Sequence, residues 1–198
     1  IHFDTRRPKG TENLYGILHA IQNNQQISFK YHNFRDDSIY SRTIDPYALK
    51  EFEHRWYVLG KVLNENDTKT FGLDRLTDLE ISTKRFQSPS EFNINEIFKS
   101  CFGIIRQGDG EPQEVILSFD KFQGQYIKTL PLHNSQKILV DTDEELRIRL
   151  YIIPTYDFHI HLLSLGERVK VIKPASLIDA LTTEFKQAIA QYNKKPKT

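Results

Sequence analysis

Near the start of the chain, apolar side chains recur every three or four residues, the spacing that places them on one face of a helix. These positions are Leu14, Ile17, Leu18 and Ile21. Thr11 precedes them as a candidate N-cap and Asn23-Asn24 follows them, so the pattern predicts one amphipathic helix between these residues. The residues before it, which include Pro8 and Gly10, are typical of a loop or linker.

After residue 26 the hydrophobic period changes to two, as in half-buried strands. Ile27, Phe29 and Tyr31 alternate with polar side chains. Four more stretches rich in β-branched and aromatic residues follow, separated by turns, at 39–49, 55–60, 69–73 and 79–83. Pro46 interrupts the second strand, which predicts an edge or a bulge there. Five short strands with tight turns predict a small, strongly bent β-barrel.

The second half of the chain changes between the two periods in the order βαββαβ. The predicted strands cover 114–119, 136–140, 146–153 and 169–171, and the predicted helices cover 122–130, 155–165 and 176–192. Split βαβ repeats of this kind predict a ferredoxin-like α/β sandwich. The predicted fold class of the whole chain is therefore α+β, with a barrel followed by a sandwich.

A linker is predicted between the two halves. Residues 107–112 hold two glycines and a proline, and a short helix is predicted before them, beginning at Asn93 and ending at Phe98. The predicted organisation is a linker and helix over 1–26, a barrel domain with its following helix over 27–106, and a C-terminal domain over 113–198.

Composition narrows the class of protein. The 27 Lys and Arg nearly balance the 26 Asp and Glu, which argues against binding nucleic acid through bulk charge but leaves a local basic pocket possible. The single Cys101 excludes an internal disulfide and fits a reducing compartment. No apolar run is long enough to span a membrane and no signal pattern is present, so a cytoplasmic protein is expected. The chain has no Met and starts abruptly, which suggests a fragment of a longer protein.

Three blocks carry the most specific signal, because each places an arginine beside an apolar strand pattern. They are YSRTIDP at 40–46, RWYVLG at 55–60 and FGLDRL at 71–76. In this order and at these spacings they resemble the WYL domain of bacterial transcriptional regulators. Val58 stands where the family pattern has Leu, a mild exchange in a strand. The segment from Leu162 to Leu177 resembles the C-terminal extension, called WCX, that follows many WYL domains.

The resemblance implies both a fold and a function. It implies an Sm-like or SH3-like barrel that binds a negatively charged ligand, either a nucleotide or single-stranded nucleic acid. Arg42 and Arg75 match positions that contact ligand in the family. The resemblance also implies an upstream helix-turn-helix that binds promoter DNA and is missing from this chain, and a homodimer to which the WCX-like part contributes.

The candidate ligand-binding residues are Tyr31, Arg42, His54, Trp56, Tyr57 and Arg75. A barrel can bring their strands together with Arg55, and guanidinium groups bind phosphate in a bidentate manner. Aromatic side chains at such a site stack on a base or cover one wall. The alternative is that Asp74 and Arg75 form a structural ion pair and that Trp56 belongs to the core.

No motif predicts catalysis or a metal site. His159 and His161 fall in a predicted helix, where residues two apart diverge by about 200°, so they predict no metal site. Cys101 has no activating neighbour and is expected to be a buried, inert thiol. The sequence has no phosphate loop, nucleophile elbow or HExxH motif, so we predict no cofactor and no enzyme. Two alternatives stay open: a stand-alone Sm-like nucleic-acid-binding module without a switch, and an enzyme that acts on nucleotides.

Overall fold

The computed structural model describes residues 8–65, 67–106 and 111–193. The chain divides into two compact units, Ile1–Ile94 and Asn95–Thr198, which we call the first and second domain. Each contains one antiparallel β-sheet together with helices, which confirms a mixed α+β fold. Of the predicted linker, residues 107–110 lie outside the described residues.

The first domain consists of helix α1 and five strands. Their bounds are α1 Leu14–Gln22, β1 Gln25–Asn33, β2 Ser38–Phe52, β3 Arg55–Val62, β4 Thr68–Gly72 and β5 Leu76–Arg85. The sheet order is β4-β3-β2-β1-β5. Within the described part of the chain β4 and β5 form no pair with each other, so hydrogen bonds do not close this sheet into the predicted barrel.

The buried face of this sheet is formed by the apolar residues that alternate with polar residues along its strands. Ile27, Phe29 and Tyr31 all point into one core, which also holds Ile44 of β2 and Val58 of β3. The register of β2 and β3 shifts between Pro46 and Ala48, which confirms the predicted bulge. Proline has no N–H to donate to the neighbouring strand, so the ladder is interrupted at this point.

Helix α1 packs on this core slightly differently from the prediction. Its buried residues are Ile17 and Ala20, whereas Leu18 is exposed. The expected N-cap is wrong, because the Thr11 hydroxyl donates to the Pro8 carbonyl and a 3-10 helix over Thr11–Asn13 precedes α1. The helix therefore begins two residues later than a Thr11 cap would place it.

The second domain follows the predicted βαββαβ order. Its elements are β6 Gln113–Asp120, α3 Lys121–Thr129, β7 Lys137–Asp141, β8 Glu145–Ile152, α4 Tyr156–Ser164, β9 Val169–Lys173 and α5 Ala175–Tyr192. The strand order is β7-β8-β6-β9, and every pair is antiparallel. The four-residue helix α2, Ile94–Ile97, lies at the division between the two domains.

Helix α3 shows how local sequence fixes the packing of this domain. Asp120 caps it, with Oδ1 accepting a hydrogen bond of 2.6 Å from the backbone N of Gln123. Gly124 lies so close to β8 that an added Cβ would be 2.8 Å from the Leu146 Cβ. A glycine inside the helix is therefore tolerated, because it allows close packing on the sheet.

The core of the second domain is formed by apolar side chains of β6, β8 and the three longer helices. Its buried members are Val115, Leu117, Phe119, Ile127, Leu146, Ile148, Leu150, Ile152, Phe158, Leu162, Leu177 and Leu181. Helix α5 contributes Leu177 and Leu181 from its first half to this core, whereas Phe185 and Ile189 in its second half are exposed.

Candidate anion-binding site

The candidate site is built around Tyr31 in β1. Only 6% of this residue is exposed, and its ring packs edge-on against Phe71 with the ring centroids 5.0 Å apart. The backbone N of Gly72 donates a hydrogen bond of 3.3 Å to the Tyr31 hydroxyl. This bond joins β1 to the end of β4, where the chain turns into a 3-10 helix over Leu73–Arg75.

That turn brings Arg75 to the tyrosine. The guanidinium carbon of Arg75 lies 5.2 Å from the centroid of the Tyr31 ring, a cation–π distance. Gly72 leaves room for it, since a Cβ at that position would lie 2.8 Å from Arg75 Nη2. The Nε of Arg75 is 3.6 Å from Asp74 Oδ1, too far for a hydrogen bond. The side chain is 27% exposed, so its donors can reach a ligand.

Arg42 lies on β2 in a similar environment. Its guanidinium carbon is 4.1 Å from the centroid of the Tyr40 ring, and its side chain is 30% exposed. The nearest carboxylate oxygen, Glu65 Oε1, is 3.8 Å from Nη2. A hydrogen bond from Lys69 engages Glu65 directly and lowers the pKa of Glu65 below its usual value. Arg42 is thus in a loose ion pair with a carboxylate that Lys69 already binds.

Strand pairing places the two arginines on one surface. Tyr31 and Tyr40 are direct partners in the β1–β2 register, and their ring centroids are 5.8 Å apart. Arg75 lies over the first ring and Arg42 over the second. Since both ion pairs are longer than a hydrogen bond, both guanidinium groups keep donors for an anion, and phosphate or carboxylate matches their geometry.

Arg55 is held differently. Its Nη1 donates directly to Asp74 Oδ2, and the Asp74 side chain is mostly buried. The other oxygen, Asp74 Oδ1, accepts no hydrogen bond from the residues that the structure describes. Asp74 therefore neutralises Arg55 more tightly than Arg75. This arrangement combines the two interpretations of the FGLDRL block, because a structural ion pair exists but leaves Arg75 only loosely bound.

The other predicted residues lie at different depths. Trp56 is half-buried and packs against the core, as the alternative interpretation expected. Tyr57 is buried and stands opposite Gly72 in β4, the glycine that the Arg75 guanidinium approaches. His54 is exposed in the β2–β3 turn, where it has a φ of 65° and its backbone N donates to Glu51.

Sequence reasoning missed two aromatic residues near the arginines, Tyr40 and Phe34. Tyr40 lies two residues before Arg42, so the period of a strand already places both on one face. Phe34 follows β1 in the hairpin turn and lies 5.6 Å from the Arg75 guanidinium carbon, measured to its ring centroid. An aromatic residue inside a polar turn was the available signal.

The histidine pair and the cysteine lie in the second domain. His159 and His161 both lie on α4. His159 Nδ1 is 3.5 Å from Glu184, whereas the His161 ring packs against Phe102, so the two imidazoles have different neighbours. Cys101 is buried and carries a free thiol. In the described ranges no three His, Cys, Asp or Glu side chains are grouped as metal ligands would be.

The buried phenol of Tyr31 makes the stability of the protein depend on pH. Burial raises the pKa of its phenol, and the nearby Arg75 opposes that rise only in part. The folded-state pKa lies above the unfolded value of about 10, so the protonated phenol stabilises the fold fully at pH values below about 10. This contribution to stability is lost as the pH rises through the folded-state pKa. We therefore expect wild type to lose stability relative to Tyr31→Phe as the pH rises from about 9 to 11. Urea unfolding at several pH values checks this, and parallel pH profiles would contradict it.

Two protein-family models match the chain. The WYL domain model matches residues 12–81, which include the whole candidate site. The WCX domain model matches residues 111–189. The two domains found in the structure are therefore those of known families, in the order that the sequence resemblance predicted. The chain belongs to the WYL-domain proteins and carries a WCX domain after its WYL domain.

Similar proteins support this assignment. Protein PafB of Mycobacterium tuberculosis (strain ATCC 25618 / H37Rv) is 30% identical over 69 residues, which are 34% of this chain and 21% of PafB. Protein PafB of Mycobacterium bovis gives the same values. The chain thus matches only about a fifth of the length of these curated relatives.

Solved structures resemble the chain more distantly. A CRISPR Cas-related protein has a TM-score of 0.53 and 14% identity, with 93% of this chain and 53% of that protein covered, which shows a shared fold. Proteasome accessory factor B/C of Arthrobacter aurescens has a TM-score of 0.39 and 17% identity, over 98% of this chain and 29% of that one. Separately, no helix in the described part of the chain combines the length and apolar character needed to cross a membrane.

Proposed function

We propose that this chain is the ligand-sensing effector region of a bacterial transcriptional regulator. Its WYL domain binds a negatively charged ligand, a nucleotide or single-stranded nucleic acid, through Arg42 and Arg75. The observation that carries this proposal is the pair of guanidinium groups over adjacent tyrosine rings, each in an ion pair too long for a hydrogen bond.

The physical argument concerns unused hydrogen-bond donors. Each guanidinium has five N–H donors, and the nearest carboxylate accepts none of them at 3.6 Å and 3.8 Å. Arg42 Nη1 makes one long bond of 3.3 Å to the Ser41 carbonyl. A phosphate that approached these groups would gain charge-assisted hydrogen bonds without first breaking a close ion pair.

Regulation requires a second component. A ligand changes the activity of a regulator only if it binds two conformations with different affinity. We propose that those conformations differ in how a DNA-binding domain of a longer protein is presented to promoter DNA, and that the WCX domain supports a homodimer in the cytoplasm. We further propose that the first domain has an Sm-like fold, that the second domain is a ferredoxin-like sandwich, and that the chain has no enzymatic activity.

Removing either arginine is expected to weaken ligand binding by about 1.5–3 kcal/mol, the usual contribution of hydrogen bonds to charged groups. The variants are Arg42→Ala and Arg75→Ala, and the probe is a short labelled oligothymidylate titrated at low and high salt. Arg149→Ala is the matched control, because Arg149 is similarly exposed and lies 3.7 Å from Glu114 in the second domain.

The outcomes separate the possible functions. Salt-sensitive binding that both site variants lose and the control keeps supports the anion site. Equal affinity of wild type and both site variants would place the binding site elsewhere. If the longer natural protein binds the oligomer but its affinity for promoter DNA does not change, the stand-alone nucleic-acid-binding module becomes the better account.

A further inference from the structure

Phe34 is an exposed aromatic residue at the edge of the candidate site. It lies in the turn between β1 and β2, and 63% of it is accessible to solvent. Tyr31 and Tyr57, two of the aromatic candidate residues, are both buried. Neither therefore offers a ring face to a ligand, whereas Phe34 does.

The position of Phe34 is tied to Arg75. The guanidinium carbon of Arg75 lies 5.6 Å from the Phe34 ring centroid and 5.2 Å from the Tyr31 ring centroid. One arginine therefore contacts a buried ring and an exposed ring. A phosphate on Arg75 would have the Phe34 ring within reach of the group attached to that phosphate.

The turn that carries Phe34 is held by side-chain hydrogen bonds. The His32 ring packs edge-on against Phe34 at 5.0 Å, and its Nε2 is 2.6 Å from Asp37 Oδ1. Asp36 Oδ1 accepts hydrogen bonds from the backbone N and the hydroxyl of Ser38, at 3.1 Å and 2.7 Å. These contacts hold the turn and the Phe34 ring in place, which lowers the entropic cost of presenting the ring to a ligand.

We propose that Phe34 stacks on a nucleobase whose phosphate is bound by Arg75, so that it determines specificity for nucleotides over other anions. This inference rests on the proposed anion site and adds to it a residue that contacts the base. Proteins usually bind unpaired bases with an aromatic side chain that stacks on the base and a positively charged side chain that contacts the phosphate backbone of the nucleic acid. Sugar phosphates and inorganic anions lack a ring to stack, so they would gain nothing from Phe34.

The second domain contains a natural control for this arrangement. Phe122 is 59% exposed, and the Arg168 guanidinium carbon lies 5.0 Å from its ring centroid. Arg168, however, donates a hydrogen bond of 3.2 Å to Asp120. Arg168 is therefore hydrogen-bonded to a carboxylate, whereas Arg75 is only loosely paired, and this difference distinguishes Phe34 from Phe122.

The test compares Phe34→Ala, Phe122→Ala and Arg75→Ala with wild type on three probes. These are a labelled oligothymidylate, an abasic oligomer of the same length and charge, and thymidine monophosphate as a competitor. Loss of one stacked base is expected to reduce oligothymidylate affinity about 5- to 150-fold in Phe34→Ala and to leave abasic binding unchanged. Arg75→Ala is expected to weaken binding of both oligomers, and Phe122→Ala neither.

The possible failures are distinguishable. If Phe34→Ala binds oligothymidylate like wild type while Arg75→Ala does not, the anion site stands and the stacking role is overturned. If Arg75→Ala has no effect, or wild type binds none of the probes, the anion site itself is overturned and the stacking role with it. Equal losses in Phe34→Ala and Phe122→Ala would also overturn the stacking role. If thymidine monophosphate competes effectively, a single nucleotide is sufficient as the ligand. If it does not compete, the ligand is single-stranded nucleic acid.

Discussion

Phe158→Ala is expected to lower the free energy of unfolding of the second domain by about 3–5 kcal/mol, the usual cost of removing a buried phenyl ring. Phe158 lies on α4 with none of its surface exposed. It packs edge-on against Phe102 at 5.2 Å and belongs to the core between the sheet and the helices. The cost combines the lost burial of the ring with the cavity that the rigid β6 and β8 cannot fill.

Urea unfolding followed by far-UV circular dichroism measures this loss. Phe122→Ala is the matched control, since it removes the same ring from an exposed position of the same domain and should change stability by less than about 0.5 kcal/mol. Because Trp56 is the only tryptophan and lies in the first domain, its fluorescence follows that domain separately. A Phe158→Ala protein as stable as Phe122→Ala would contradict this account of the core.

The first sheet was predictable because its strands keep period two. The residues of β1 that alternate toward one face, Ile27, Phe29 and Tyr31, are all in the core. The same alternation places Tyr31 on the core face of β1. A residue on the core face of a strand is buried, so Tyr31 can support Arg75 but offers no face to a ligand.

The geometry of the site was not predictable, because it depends on register. Tyr31 and Tyr40 meet only because β1 and β2 pair in one particular alignment. A shift by one residue would turn the side chains of one strand to the other face and separate these two rings. Whether Asp74 neutralises Arg55 or Arg75 depends likewise on a difference of about an ångström between two contact distances, which no local pattern in the sequence encodes.

Helix positions were predicted better than helix faces. Periodicity located α1 and α5, but the faces that they bury depend on where each helix packs. Small Ala20 is buried where larger Leu18 is exposed, and in α5 burial covers Leu177 and Leu181 and then ends. Hydrophobic spacing reports which residues share a face, whereas the neighbouring elements decide how much of that face they cover.

Gly10→Ala is expected to destabilise the first domain by about 2–5 kcal/mol, through a strained φ and an overpacked contact. Gly10 has a φ of 83°, and a Cβ there would lie 1.9 Å from the Leu73 carbonyl oxygen and 2.2 Å from its carbonyl carbon. These are backbone atoms, so no side chain can rotate away. Leu73 begins the 3-10 helix that positions Arg75, and oligothymidylate affinity should therefore fall together with stability.

Gly16→Ala separates this clash from a general effect of removing a glycine from the same domain. Gly16 lies inside α1, and its added Cβ would meet Ile81 and Leu79 side-chain atoms at an ordinary 3.5 Å. Alanine is the better helix former, so this variant should gain up to about 1 kcal/mol. Tryptophan fluorescence in urea measures both variants. Equal stability of Gly10→Ala and wild type would mean that the Leu73 turn yields to the new methyl group, and Arg75 would then be held less rigidly than its contacts with Tyr31 and Phe34 imply.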